Sequence, residues 1–86
     1  MIVVKLQQGK LTIRGHAGYA ARGKDIVCAA ASALAEVLRQ RFGGRTAPGR
    51  AEFLLPEQDA TLLSVLGAFL ELQRVYPGYV CVQLPG

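Results

Sequence analysis

Residues 2–14 read IVVKLQQGKLTIR, and the period of that stretch decides the architecture. Ile2, Val4 and Leu6 fall on one side, while Val3, Lys5 and Gln7 fall on the other. Leu11 and Ile13 continue the alternation against Thr12 and Arg14. A period of two marks a strand with one buried face. Gln8-Gly9-Lys10 supplies the turn between the two runs, so the chain opens with a β-hairpin.

Downstream the period changes. Gly15 to Lys24 holds three glycines and no clear repeat, which predicts a loop. From Asp25 a helix is expected, because a carboxylate there accepts hydrogen bonds from amides inside the first turn. Ile26, Ala30, Ala33 or Leu34, Val37 and Leu38 recur at helical spacing and are expected to face the sheet. Arg39 and Arg41 fall in the last turn, where cations complement the helix dipole. Gly43-Gly44 ends the helix, and Gly43 to Gly49 reads as a flexible or functional loop.

Arg50 to Leu55 predicts a third strand, with Ala51, Phe53 and Leu55 alternating against Arg50 and Glu52. Pro56 suits a helix start, and Glu57 and Asp59 put negative charge in its first turn. Leu62, Leu63, Leu66, Phe69 and Leu70 form its apolar face, and the helix runs to about Val75. Tyr76-Pro77-Gly78 breaks it, and Tyr79 to Leu84 makes a final strand. The order ββαβαβ predicts a small single-domain α/β sandwich over residues 1–86, with a mixed four-stranded sheet and two helices.

Composition narrows the class of function. At 86 residues and 51% hydrophobic content the chain can build one modest core, and oligomerisation, here a homodimer, is a common supplement at this size. Two cysteines make no secreted-type disulfide framework, and no apolar run reaches membrane-spanning length. Ile2-Val3-Val4 is too short for a signal core, and Lys5 interrupts it. The expected location is therefore cytoplasmic, with no membrane association. Residues 1–50 hold nine of the ten Lys/Arg against Asp25 and Glu36, a net +7, whereas residues 51–86 carry a net −3. Such a half could make a weak contact with ribosomal RNA, but no aromatic RNA-binding motif accompanies it, and a solvated surface is the plainer reading.

The segment that carries chemistry is 15–34, GHAGYAARGKDIVCAAASAL. It holds the only histidine, His16, twelve positions before Cys28. With Asp25 as cap, Cys28 falls in the first helical turn, where unpaired amides and the dipole favour a thiolate, and Arg22 and Lys24 could add to this. His16 follows a strand end, from which an imidazole can reach back over the helix start as a general base. Amides near Val27 and Cys28 could serve a developing oxyanion. Asp25 could also orient His16, and Ser32, one turn after Cys28, is a second supporting group. The competing reading is equally concrete. A cysteine in an alanine-rich helix can be a small buried hydrophobe, and a histidine in a glycine loop a turn residue. Cys81, between Val80 and Val82, reads as structural. One histidine and two distant cysteines make no closed zinc site, and Gly15, Gly18 and Gly23 do not space as a nucleotide loop.

Gly15-His16-Ala17, Gly23 and Asp25-Ile26-Val27-Cys28-Ala29-Ala30, followed by Ser32-Ala33-Leu34, resemble the ribosomal-processing cysteine protease (Prp) family, whose hallmark is a GHA motif and a DIVCAA-x-SAL helix start. The resemblance covers about a quarter of the chain without a gap. It implies a cysteine endopeptidase acting in ribosome biogenesis, with His16 and Cys28 as the catalytic pair and no cofactor. The implied partner is a ribosomal protein precursor, number twenty-seven of the large subunit, whose N-terminal extension is removed. It further implies a homodimer and a mobile loop from Ala17 to Lys24 that orders when substrate binds. Two rival functions stand beside it: a non-catalytic ribosome-associated binding protein, and a thiol redox sensor pairing Cys28 with Cys81.

Overall fold

A computed structural model describes residues 1–21, 23–54 and 59–85 of the chain. Strands β1 (Ile2–Gln7) and β2 (Lys10–Arg14) pair antiparallel, from Val3↔Arg14 to Gln7↔Lys10. Their two-residue turn holds Gln8 at φ 52° and Gly9 at φ 74°. Two successive positive φ angles belong to a type I′ turn, whose twist matches that of the strands it joins. The expected opening hairpin is present.

Helix α1 (Ile26–Phe42) follows, then β3 (Arg45–Ala47), β4 (Arg50–Leu54), α2 (Ala60–Val75) and β5 (Val80–Gln83). The sheet order is β3-β4-β2-β1-β5, with β5 parallel to β1 and the other pairs antiparallel. The sheet is mixed, as expected, but it has five strands rather than four, in the order ββαββαβ. The extra strand comes from the segment read as a loop. Ala47-Pro48-Gly49-Arg50 carries proline and then a glycine at φ 73°, the pattern of a type II turn, and it folds Arg45–Ala47 back onto β4.

Asp25 caps α1, its Oδ1 accepting from the Cys28 amide at 2.9 Å, and Gly43 closes it at φ 74°. The helix buries Val27, Ala31 and Leu38, with Cys28, Leu34, Ala35 and Phe42 packed at the margin. The expected face was turned by about one residue: Ile26 and Val37 are exposed. In α2, Asp59 is the cap and receives the Thr61 and Leu62 amides. Leu62, Val65, Leu66 and Phe69 are buried, whereas Leu63 and Leu70 face outward. Leu55, Pro56 and Glu57, expected at the end of the third strand and the start of the second helix, lie outside the described residues.

Both helices pack together and against one face of the sheet, which supplies Ile2, Val4, Leu11, Ile13, Ala51, Phe53 and Val80 to the core. Phe53 and Phe69 are essentially fully buried, each contributing about 1.5–3 kcal/mol of hydrophobic stabilisation. The alternate residues on the strands form an opposite face that no helix among the described residues covers. No helix among the described residues is long and apolar enough to cross a membrane.

Candidate active site

Beyond Arg14 the chain turns sharply at Gly15, at φ 93°. Its amide donates to the Gly49 carbonyl at 2.9 Å, and a Cβ on Gly15 would collide with the Met1 carbonyl oxygen. This close packing sends the next residues across the beginning of α1. Ala17 is buried, and its amide donates to the Cys28 sulfur at 3.2 Å. The peptide bond joining His16 to Ala17 therefore rests on Cys28 Sγ, and the twelve-residue separation in sequence is closed in space.

His16, Cys28 and Ser32 line one cleft of about 340 Å³, with Thr46, Ala47 and Gly49 of the β3–β4 hairpin forming its far wall. Cys28 is half-buried, whereas His16 and Ser32 are exposed to solvent. The sulfur lies in the first turn of a 17-residue helix and accepts an amide hydrogen bond. Both features point positive dipole ends at it.

Asp25 has a different job from one of those expected of it. Its Oδ1 accepts from Cys28 N, and its Oδ2 accepts from Tyr19 N at 2.9 Å and Ala20 N at 3.3 Å. Among the described residues no hydrogen bond joins it to His16, so its carboxylate clips the loop to the helix start instead of orienting the imidazole. The Cys28 amide, with those of Ala20 and Tyr19, holds its carboxyl below the ordinary value of 3.8. A carboxyl with a depressed folded-state pKa stabilises the fold above its unfolded value, and that contribution disappears as pH falls through the lowered one. Wild type is therefore expected to lose stability faster than Asp25→Asn as pH drops below 3.8. Urea midpoints measured across that range check this; parallel curves would show the clip to be unimportant.

The Cys28 amide, expected to serve an oxyanion, is occupied by Asp25. Ser32 makes no hydrogen bond to His16 or Cys28 among the described residues, but it shares the cleft with both. The loop after His16 is anchored at Tyr19, whose ring packs edge-on against Tyr76 and Tyr79 at 5.4 and 5.2 Å between centroids. Arg22, expected to assist the thiolate, lies outside the described residues. Cys81 pairs with Val3, and its neighbours Val80 and Val82 point into the core. It consequently faces away from the helices, and the sheet separates it from Cys28.

One group at the site escaped the sequence reading. The His16 ring lies against Gly49: a Cβ there would stand 2.9 Å from Nε2 and 3.4 Å from Cε1. A glycine is required twice over, by this contact and by the positive φ. The signal was available, because Pro-Gly between two short strand-like runs is a turn signature.

A family model described as cysteine protease Prp matches residues 1–80. No curated protein matches the sequence significantly. Among solved structures, an essential ribosomal processing protease Prp from S. aureus, in complex with a covalently linked product peptide, aligns with a TM-score of 0.74 at 16% identity, covering 98% of this chain and 97% of that one. The same S. aureus protease with a substrate peptide gives 0.66 at 16% identity, covering 98% and 97%. SMU.848 from Streptococcus mutans gives 0.65 at 19% identity, covering 96% and 90%. At these identities the likeness is one of fold.

Proposed function

This chain belongs to the cysteine protease Prp family, and from that premise we propose that it is an endopeptidase with Cys28 as nucleophile and His16 as general base. One observation carries the assignment: the amide next to His16 donates to Cys28 Sγ, so base and nucleophile border a single cleft. His16 takes the thiol proton, and the thiolate attacks the scissile carbonyl carbon. Collapse of the tetrahedral adduct breaks the C–N bond, the amine leaves with the proton from His16, and a thioester remains on Cys28. Water, deprotonated by His16, attacks that thioester; the acid departs and the thiol is restored. Asp25 and Ser32 act as supporting groups, the first by fixing the helix start and the loop, the second from the cleft wall.

The substrate we infer is a ribosomal protein precursor carrying an N-terminal extension, namely protein twenty-seven of the large subunit. That reading is supported by the family and by the peptide complexes of the S. aureus ribosomal processing protease. It places the enzyme in ribosome biogenesis in the cytoplasm, in keeping with two free thiols. It also has the enzyme act as a homodimer, for which Leu63 and Leu70 offer outward apolar groups on α2.

The test is a peptide copied from the N-terminus of the organism's own ribosomal protein, incubated with the enzyme and read by mass spectrometry. Cleavage at one bond is expected. Alkylation of Cys28 by iodoacetamide, followed against pH, is expected to change its profile in His16→Ala. Identical profiles with and without the imidazole would remove His16 as base.

Gly49→Ala should disturb this arrangement without touching either reacting group. Its methyl would stand 2.9 Å from Nε2, so the imidazole must move, and displacements of about 1 Å can lower rates by about 100-fold. The expected result is a fall in kcat with little change in KM. Gly78→Ala is the control, since its φ of 89° carries the same backbone cost with no atom within 4 Å of the added Cβ. Equal kinetic losses in both variants would show that strain, not the imidazole, is responsible.

A further inference from the structure

The face of the sheet that no helix among the described residues covers collects all five strand cations. Register places Gln83, Lys5, Thr12, Glu52 and Arg45 in one row across five strands. The next row is Cys81, Val3, Arg14, Arg50 and Ala47, and Lys10 lies at the far end of β2. Among the described residues five cations thus share the face with one acid, Glu52. That acid is already engaged by Arg50 and by Lys10 at 3.7 Å. Elsewhere the arginines on or beside the helices are matched singly: Arg39 with Glu36, Arg41 with Asp59 and Arg74 with Glu71. Among the described residues no carboxylate pairs with Lys5, Arg14 or Arg45.

Two further observations make this more than a solvated surface. Arg14 stands directly opposite Arg50 on a paired strand, and Glu52 is held by Arg50, not by Arg14, so Arg14 faces a cation with no carboxylate of its own among the described residues. An anion beside Arg14 would relieve that cost. The unpaired cations are also spread out: Lys5 on β1 and Arg45 on β3 are three strand spacings apart in one row, about 14 Å. A single small anion cannot span that distance, whereas a repeating one can.

We propose that this open sheet face binds the phosphate backbone of RNA, without base selectivity. Among the described residues no aromatic side chain stands on it, so they offer no platform for base stacking. A membrane surface is disfavoured because a bound face needs apolar groups to insert, and among the described residues the one large apolar side chain exposed on this face is Leu54, at the corner. An acidic protein would likewise find no apolar centre to pack against. Arg50 belongs to both the face and the peptide cleft, so RNA on the face would lie beside the cleft wall. The surface is independent of the peptidase reading and stands if that reading falls.

Anisotropy of a fluorescein-labelled RNA duplex of about 16 base pairs, titrated with the full chain at several salt concentrations, tests it. Three phosphate contacts predict a log–log salt slope of about −2.7, and therefore affinity about 40-fold weaker at 200 than at 50 mM salt. The triple variant Lys5→Gln, Arg14→Gln, Arg45→Gln is expected to bind at least about 10-fold more weakly at low salt with a flattened slope, and to keep its thermal midpoint and its peptide turnover. Absence of wild-type binding at 50 mM salt overturns the proposal, as does a triple variant that binds like wild type. Equal or tighter binding of polyglutamate, or of phosphatidylserine vesicles, assigns the face to another partner and also overturns it. Should the triple variant unfold, each single substitution is compared instead, and each must lower the slope by about one unit.

Discussion

Cys28→Ala is expected to abolish peptide turnover, lowering kcat/KM by about 10⁴- to 10⁶-fold, the range seen when a nucleophile acting together with its base is removed. The size follows from chemistry. In the proposed mechanism the sulfur forms the covalent bond through which the acyl group passes, and an alanine methyl can form none. The structural cost is small by comparison. Cys28 is half-buried and packs only at the margin of the core, so the thermal midpoint should move by only a few degrees. Kinetics and a melt on the same sample separate the two effects. A variant that is folded and still cleaves would remove Cys28 from the mechanism.

The largest effect on stability is expected at Gly44. Its φ of 103° lies where an L side chain is strained, and a Cβ would stand 2.6 Å from the Glu52 carbonyl oxygen and 2.6 Å from Phe53 Cδ1. Backbone strain of this kind costs about 1–3 kcal/mol, and overpacking against a closed core adds about 1–3 kcal/mol. Phe53 is one of the two largest fully buried side chains, so it has no room to retreat. Gly44→Ala should therefore lose about 2–6 kcal/mol out of a total that for small domains is about 5–15 kcal/mol. Gly43→Ala tests the source of the loss, because its φ is also positive but nothing lies within 4 Å of its added Cβ. Its cost should be confined to strain. Chemical denaturation of both variants gives the comparison, and equal losses would show that the Phe53 contact does not matter.

The parts of the molecule legible in the sequence were those in which one local signal dominates. The β1–β2 hairpin has strict alternation and a glycine turn, and both appear in the structure. Asp25 was expected to cap α1, and it does; its other expected role, orienting His16, has no local signature, and among the described residues no hydrogen bond joins the two. The phase of α1 was not legible for a physical reason. With alanine at positions 29, 30, 31, 33 and 35, adjacent stripes of the helix are equally apolar, and only contact with the sheet selects Val27, Ala31 and Leu38 over Ile26 and Val37. In α2, Leu63 and Leu70 fit the helical period but lie outside the arc that α1 and one sheet face can cover. Strand β3 is three residues long with every side chain exposed, so no alternation announced it, and 43–49 read as a loop; the one local signal was the Pro48-Gly49 turn.

For the candidate site, the 15–34 segment offered the residues, but the partners of those residues were non-local. Asp25 bonds to amides of Tyr19 and Ala20 in a loop with no period of its own. Gly49 reaches His16 only because Gly15 hydrogen-bonds to its carbonyl. Such contacts depend on which strands become neighbours, and spacing along the chain does not encode that.

The hairpin that walls the cleft has a consequence for anyone wishing to retarget the enzyme. Because β3 is terminal in the sheet and, among the described residues, pairs only with β4, exchanging the cleft-lining residues 46–48 would leave the other four strands and both helices intact. Gly49 would have to stay, but the rest of the turn is a replaceable cassette, a natural point for building libraries with altered sequence preference.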